Sequence, residues 1–246
     1  MNCLKLKRFS HHLQVSFSRL NMICRSWYKL YAPNSLKHRR NTDQIKLSDS
    51  SILAMLIWQA ELGIESQRRF CRFFVGLSHS RFNRRARQLL PLIYLIRHTL
   101  NQEVDLSGKI LIIDSFPVPV CQPVRNYRVK IFHDIADIGY KATKKVYYYG
   151  FKVYGFKFKV YGFKVHAIVS DDGYVLWTPY RKNMQGAKKH NNHQLMAVRR
   201  TIESDFALLS YYNAENNSAR SLAGFQELLE VAVLAYNMAY CLERFN

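Results

Sequence analysis

Apolar residues recur at helical spacing through the first hundred positions and at strand spacing after them. Over 48–60, Ile52, Met55, Leu56 and Gln59 mark one face, Ser48 stands where an N-cap belongs, and Gly63 breaks the pattern. A second helix is predicted over 65–75, with Arg68, Arg69 and Arg72 on it. Two helices joined by a short glycine-containing turn fit a helix-turn-helix, and equally a helical hairpin with a solvated basic face. A third helix, over 81–100, carries Arg81, Arg84, Arg85 and Arg87 near its start. Positive charge there opposes the helix dipole, a local cost that a phosphate partner would relieve.

After Asn101 the period changes, which sets a domain boundary near 101–109 and divides the chain into regions 1–100 and 101–246. Residues 110–113 form a continuous apolar run ending in Asp114, the pattern of a central strand, with Pro117, Pro119 and Pro123 expected to end it. Residues 132–140 read as a loop. Residues 166–170 and 174–176 flank Asp171-Asp172-Gly173, a hairpin turn signal. A basic loop over 181–193 precedes a helix over 194–209, and Ser221 caps a last helix whose Leu222, Phe225, Leu229, Ala232, Tyr236 and Tyr240 form a buried face. The expected class is α+β.

Between 144 and 164 lie nine aromatic residues and six lysines, with Y-G-F-K recurring at Tyr149, Tyr154 and Tyr161. This tandem duplication is too short for a solenoid repeat and is expected to bulge or lengthen a hairpin. The same block suits stacking of single-stranded nucleic acid, although its spacing completes no RNA-binding motif.

Charge sharpens the reading. The 246 residues hold 37 Lys and Arg against 17 Asp and Glu, net +20, and residues 1–100 carry 18 basic against 4 acidic side chains. Such an excess points to a polyanionic partner, and its concentration in the first hundred residues to a binding arm. Apolar runs fall short of the roughly 20 residues a membrane span needs, and no signal peptide is expected at the start. Five scattered cysteines without a C-x-x-C pair argue against a disulfide framework or a zinc site, and for a reducing cytoplasm.

Two carboxylates stand out chemically. Asp114 follows buried apolar residues and must be solvated, paired or bound to a cation, unless it simply ends a strand at a turn. Glu203 lies on the helix predicted over 194–209, beside Arg199 and Arg200, where an ordinary surface ion pair is the plain alternative. A strand carboxylate and a helix carboxylate together suit divalent ions that activate water for phosphodiester chemistry. His190 and His193 have metal-ligand spacing but no third partner in the sequence.

The wording of the chain adds a resemblance. The segment 111–142 (LIIDSFPVPVCQPVRNYRVKIFHDIADIGYKA), Tyr148-Tyr149-Gly150-Phe151-Lys152-Val153, and Arg199-Arg200-Thr201-Ile202-Glu203 resemble DDE transposases of the insertion sequence 982 family. So do Ser66-Gln67-Arg68, Leu222-Ala223-Gly224-Phe225 and Ala235-Tyr236-Asn237, so that the likeness covers most of the chain. It implies an RNase H-like domain over 101–246, Asp114 and Glu203 as catalytic carboxylates on Mg²⁺ or Mn²⁺, and double-stranded DNA, both element ends and target, as partner. Arg68, Arg69, Arg72, Arg84, Arg85, Arg199 and Arg200 are the candidate DNA contacts, self-association of copies is a further expectation, and the place of action is the bacterial nucleoid. The family's second Asp has no match here. Only 17 residues lie between Leu176 and Gln194, too few for the β-α-β unit that would carry it. An internal deletion, and with it an inactive transposase, is the expectation. A non-catalytic DNA-binding remnant and a single-strand binder are its rivals.

Overall fold

The structure is a computed structural model that describes residues 16–38, 44–102, 111–112, 115–141, 145–154, 167–170, 173–176, 185, 206–217 and 219–243. It is α+β and divides into two units, Met1–Val104 with Tyr211–Asn246, and Asp105–Ser210. The first unit contains α1 Phe17–Tyr31, α2 Asn34–Lys37, α3 Asp49–Glu61, α4 Gln67–Phe74, α5 His79–Gln88, α6 Leu90–Gln102 and, from the far end of the chain, α7 Leu222–Glu243. The second contains β1 Leu111–Ile112, β2 Ser115–Pro119, β3 Asp137–Lys141, β4 Val146–Tyr154, β5 Ala167–Ser170 and β6 Gly173–Leu176. Among the described residues no helix is long and apolar enough to cross a membrane.

Local chemistry starts the helices. Ser48 and Ser66 accept from the backbone N–H groups of Ser51 and Arg69, at 3.1 and 3.2 Å, each satisfying an orphan donor of α3 and α4. Gly63, at φ +61°, makes the turn between them in a conformation that other L residues avoid. α3 buries Ile52, Leu53, Ala54, Leu56, Ile57 and Ala60, leaving little polar face, because it lies at the centre with α1, α5 and α7 packed around it. α7 is similarly buried along its length, from Phe225 through Leu229, Ala232 and Leu234 to Met238, although Leu222 at its start is exposed. A buried ion pair, Arg97 with Glu230, joins α6 to α7.

One expectation for this unit is corrected, and one helix was not expected. The helix predicted over 81–100 is two helices, α5 and α6, because the ring of Pro91 cannot sit inside a continuous helix and is tolerated in the first turn of a new one. α7, at the far end of the region 101–246, packs on α6, α3 and α5 and falls within the first unit. α1 went unread because it buries only Leu20 and Cys24, too sparse a stripe to stand out.

In the second unit the strands form two antiparallel ladders, in the orders β1-β5-β6 and β2-β4-β3. Ser170 pairs with Gly173, which leaves two residues for the turn that Asp171-Asp172 signalled. Pro117 and Pro119, expected to end strand structure, instead lie within a further strand, β2, paired with Lys152 and Gly150. Val120 N–H donates to Tyr149 O at 3.0 Å, so the prolines alternate with the hydrogen-bonding positions of an edge strand and lose no ladder bond. Residues 137–141, expected to be loop, form β3 along the other side of β4.

The duplication shows in the register. Ser115 pairs with Tyr154, whereas Ile112 pairs with Ile168, so three residues back on one side correspond to fourteen forward on the other. That side is therefore longer by eleven positions, and its sequence there holds Gly155 and the third Y-G-F-K copy. The first copy fills the ladder. A Cβ on its Gly150 would lie 2.2 Å from Val118 O and 2.9 Å from Pro119 Cα, so backbone occupies the space a side chain would need.

Candidate nucleic-acid interface

α4 is divided cleanly between two faces. Gln67, Phe70 and Cys71 are buried, whereas Arg68, Arg69, Arg72 and Phe73 are exposed. The buried side is fixed by aromatic contacts: Phe70 stacks on Phe74 at 5.2 Å between ring centroids and meets Phe82 of α5 at 6.4 Å. α4 therefore packs on α5, across a short connection containing Gly76, and this pair rather than α3 with α4 presents the basic surface. On α5, Phe82 and Ala86 face inward, and Arg81, Arg84 and Arg87 are exposed.

Among the described residues, Arg68, Arg69, Arg72 and Arg84 meet no carboxylate within 4.0 Å. Four unneutralised guanidinium groups on two packed helices repel one another, and a row of phosphates would remove that repulsion while releasing counterions. Arg85 is different. Its guanidinium lies 2.6 Å from Asp49 at the start of α3, and Tyr28 OH donates to the same carboxylate at 3.2 Å. Arg85 is half-buried and ion-paired, unlike the exposed Arg68, Arg69, Arg72 and Arg84. Sequence reading also passed over Phe73, 68% exposed on the arginine face. Its position one helical turn after Arg69 was the available signal.

Behind this surface lies a polar chain. Asn83 donates to Gln67, and Gln67 donates to Glu227 of α7. Burial also pushes the thiols of Cys24 and Cys71 up, Cys71 to about 11, so neither is a nucleophile at neutral pH.

Asp114, Glu203, Arg199 and Arg200 lie outside the described residues, as do His190 and His193. Among the described residues no group of three or more His, Cys, Asp or Glu could hold a metal ion. The donor set the resemblance implies for Mg²⁺ or Mn²⁺ is two carboxylates. Two ions about 3.5–4 Å apart flanking a phosphodiester call for more, so the set does not fit a two-ion centre.

Comparison of the chain with family models, with curated proteins and with solved structures finds no match.

Proposed function

We propose that this chain is a DNA-binding protein descended from a DDE transposase of the insertion sequence 982 type, whose strand-transfer chemistry has been lost. The observation that carries the reading is the exposed, unpaired set Arg68, Arg69, Arg72 and Arg84 on α4 and α5. Duplex DNA is the partner with the matching row of charges, at element ends and target alike, and the bacterial nucleoid is where it would be met. The order β1-β5-β6 supports descent from an RNase H-like domain, because such a domain opens with an antiparallel meander. The missing second carboxylate supports loss of turnover: Asp114 and Glu203 alone cannot clamp both the entering and leaving oxygens through Mg²⁺ or Mn²⁺.

The test is binding of the whole chain to a random-sequence duplex across a salt series. Neutralising n phosphates gives a slope of about −0.9n in log K against log salt, so Arg68→Glu, Arg69→Glu and Arg72→Glu together should flatten the slope by about 3. A triple variant that binds the duplex as the parent does, at every salt concentration, would sink the reading.

A further inference from the structure

We propose that the second unit carries a stacking site for unpaired bases, built by Tyr127, Tyr140 and Tyr147 and flanked by Arg125, Arg128 and Lys145. All three tyrosines are exposed, by 81%, 49% and 59%. Exposure of one aromatic residue is ordinary, but two of these are in direct contact and the third follows a residue hydrogen-bonded to the same strand. Tyr140 and Tyr147 are direct partners across the β3–β4 ladder, with ring centroids 4.9 Å apart and planes at 50°. The Gly139 with Tyr148 pair lies on the other face of the ladder, the Tyr148 ring over Gly139, and the Ile138 with Tyr149 pair continues the same face, Tyr149 OH donating to Ile131 O.

Tyr127 follows Asn126, the residue that anchors this loop to the β4 backbone at Tyr147 and Tyr149. The buried Asn126 side chain donates to Tyr147 O at 2.9 Å and accepts from Tyr149 N at 3.2 Å. Its carboxamide therefore acts as one more peptide group beside β4, continuing the edge that β2 leaves after Val120 bonds Tyr149 O. Arg125, Tyr127 and Arg128 sit within two residues of that anchor, all exposed, and the exposed Lys145 immediately precedes β4, two residues before Tyr147. The acidic side chains of this stretch, Asp134 and Asp137, lie toward the other end of β3, where Asp137 pairs with Gly150.

Exposed tyrosine faces flanked by guanidinium and ammonium groups match a strand whose bases are free to stack and whose phosphates run alongside. A duplex has no free base faces to offer. The site is separate from the arginine face of α4 and α5, and the inference stands or falls without it.

The test uses the whole chain with fluorescent dT and rU oligonucleotides and with a duplex of equal length. Tyr140→Ala with Tyr147→Ala should weaken oligonucleotide binding about tenfold or more, since stacked bases lose that order of affinity when the aromatic group is removed. Duplex binding should be unchanged, and Tyr140→Phe with Tyr147→Phe should restore the oligonucleotide affinity. Similar losses for dT and rU mark recognition through bases and phosphates alone, and a loss confined to one sugar assigns the site to that nucleic acid. The proposal is overturned if the alanine pair binds both oligonucleotides like the parent, if the phenylalanine pair is as weak as the alanine pair, or if duplex binding falls equally.

Discussion

Gln67 Nε2 donates to Glu227 Oε1 at 3.2 Å, linking the first residue of α4 to the second turn of α7 across 160 positions of sequence. Glu227 is 1% exposed, and its Oε2 has no hydrogen-bond partner among the described residues. Burial raises its carboxyl to about 7, against the opposing pull of the Gln67 bond and the Arg87 charge. The helix bearing Arg68, Arg69 and Arg72 is thus seated on a carboxyl that the fold holds neutral in mild acid.

Stability should therefore fall as pH rises. Because the folded-state value lies above that of the unfolded chain, the folded form holds more protons between pH 4.5 and about 7. The contribution is complete below the lower value and is lost as pH passes the upper one, a change on the order of 3 kcal/mol. Urea denaturation at a series of pH values measures it. Glu227→Gln, which keeps the shape and cannot ionise, should flatten the profile over that window, and an unchanged slope would count against the assignment.

Gly150 and Gly139 should respond unequally to a methyl group. At Gly150 the obstacle is the backbone of Val118 and Pro119, whereas at Gly139 it is the outer end of the Tyr148 ring, 2.6 Å away. Backbone yields less than a side chain, so Gly150→Ala should cost at least the 1–3 kcal/mol typical of overpacking, and more than Gly139→Ala. Paired denaturation curves decide the order.

Adjacent arginines should have opposite phenotypes. Arg84→Ala should leave stability within about 0.5 kcal/mol and weaken duplex binding, as an exposed contact does. Asp49→Ala should destabilise by about 3 kcal/mol by stranding the Arg85 guanidinium, while leaving the salt dependence of DNA binding in place. Equal effects on both readouts would erase the distinction between the two arginines.

Mg²⁺ or Mn²⁺ should support no nicking of DNA by this chain. The informative comparison restores a β-α-β segment between Leu176 and Trp177. Nicking by the chain as it stands, abolished by Asp114→Ala, would mean that another carboxylate completes the centre.

Features set by neighbours in sequence were legible before the fold was known. The cap at Ser48, the turn at Gly63 and the two-residue hairpin after Ser170 each depend on a few adjacent residues. What depended on distant partners was not. Pro117 and Pro119 look like strand breakers until β2 is seen to be an edge whose bonding positions fall between them. α7 reads as a buried helix, but nothing local says that its partners are α3, α5 and α6. In the site, helical spacing put Arg68, Arg69 and Arg72 on one face, whereas the inward turn of Arg85 is dictated by an aspartate 36 residues earlier.

The slot under Val118 admits only glycine, yet the chain offers that slot three glycines, each in a Y-G-F-K setting. Sliding β4 by five or twelve residues would present Gly155 or Gly162 in place of Gly150. What differs is the two residues ahead of the tyrosine: Tyr147 and Tyr148 in the first copy, Lys152 and Val153 in the second, Lys159 and Val160 in the third. Only the first copy can lay a ring over Gly139 and another against Tyr140. Tyr148 is in that sense the key that selects one alignment among three. A refolding chain that lost it through Tyr148→Val would have nearly degenerate choices and partition among misaligned sheets.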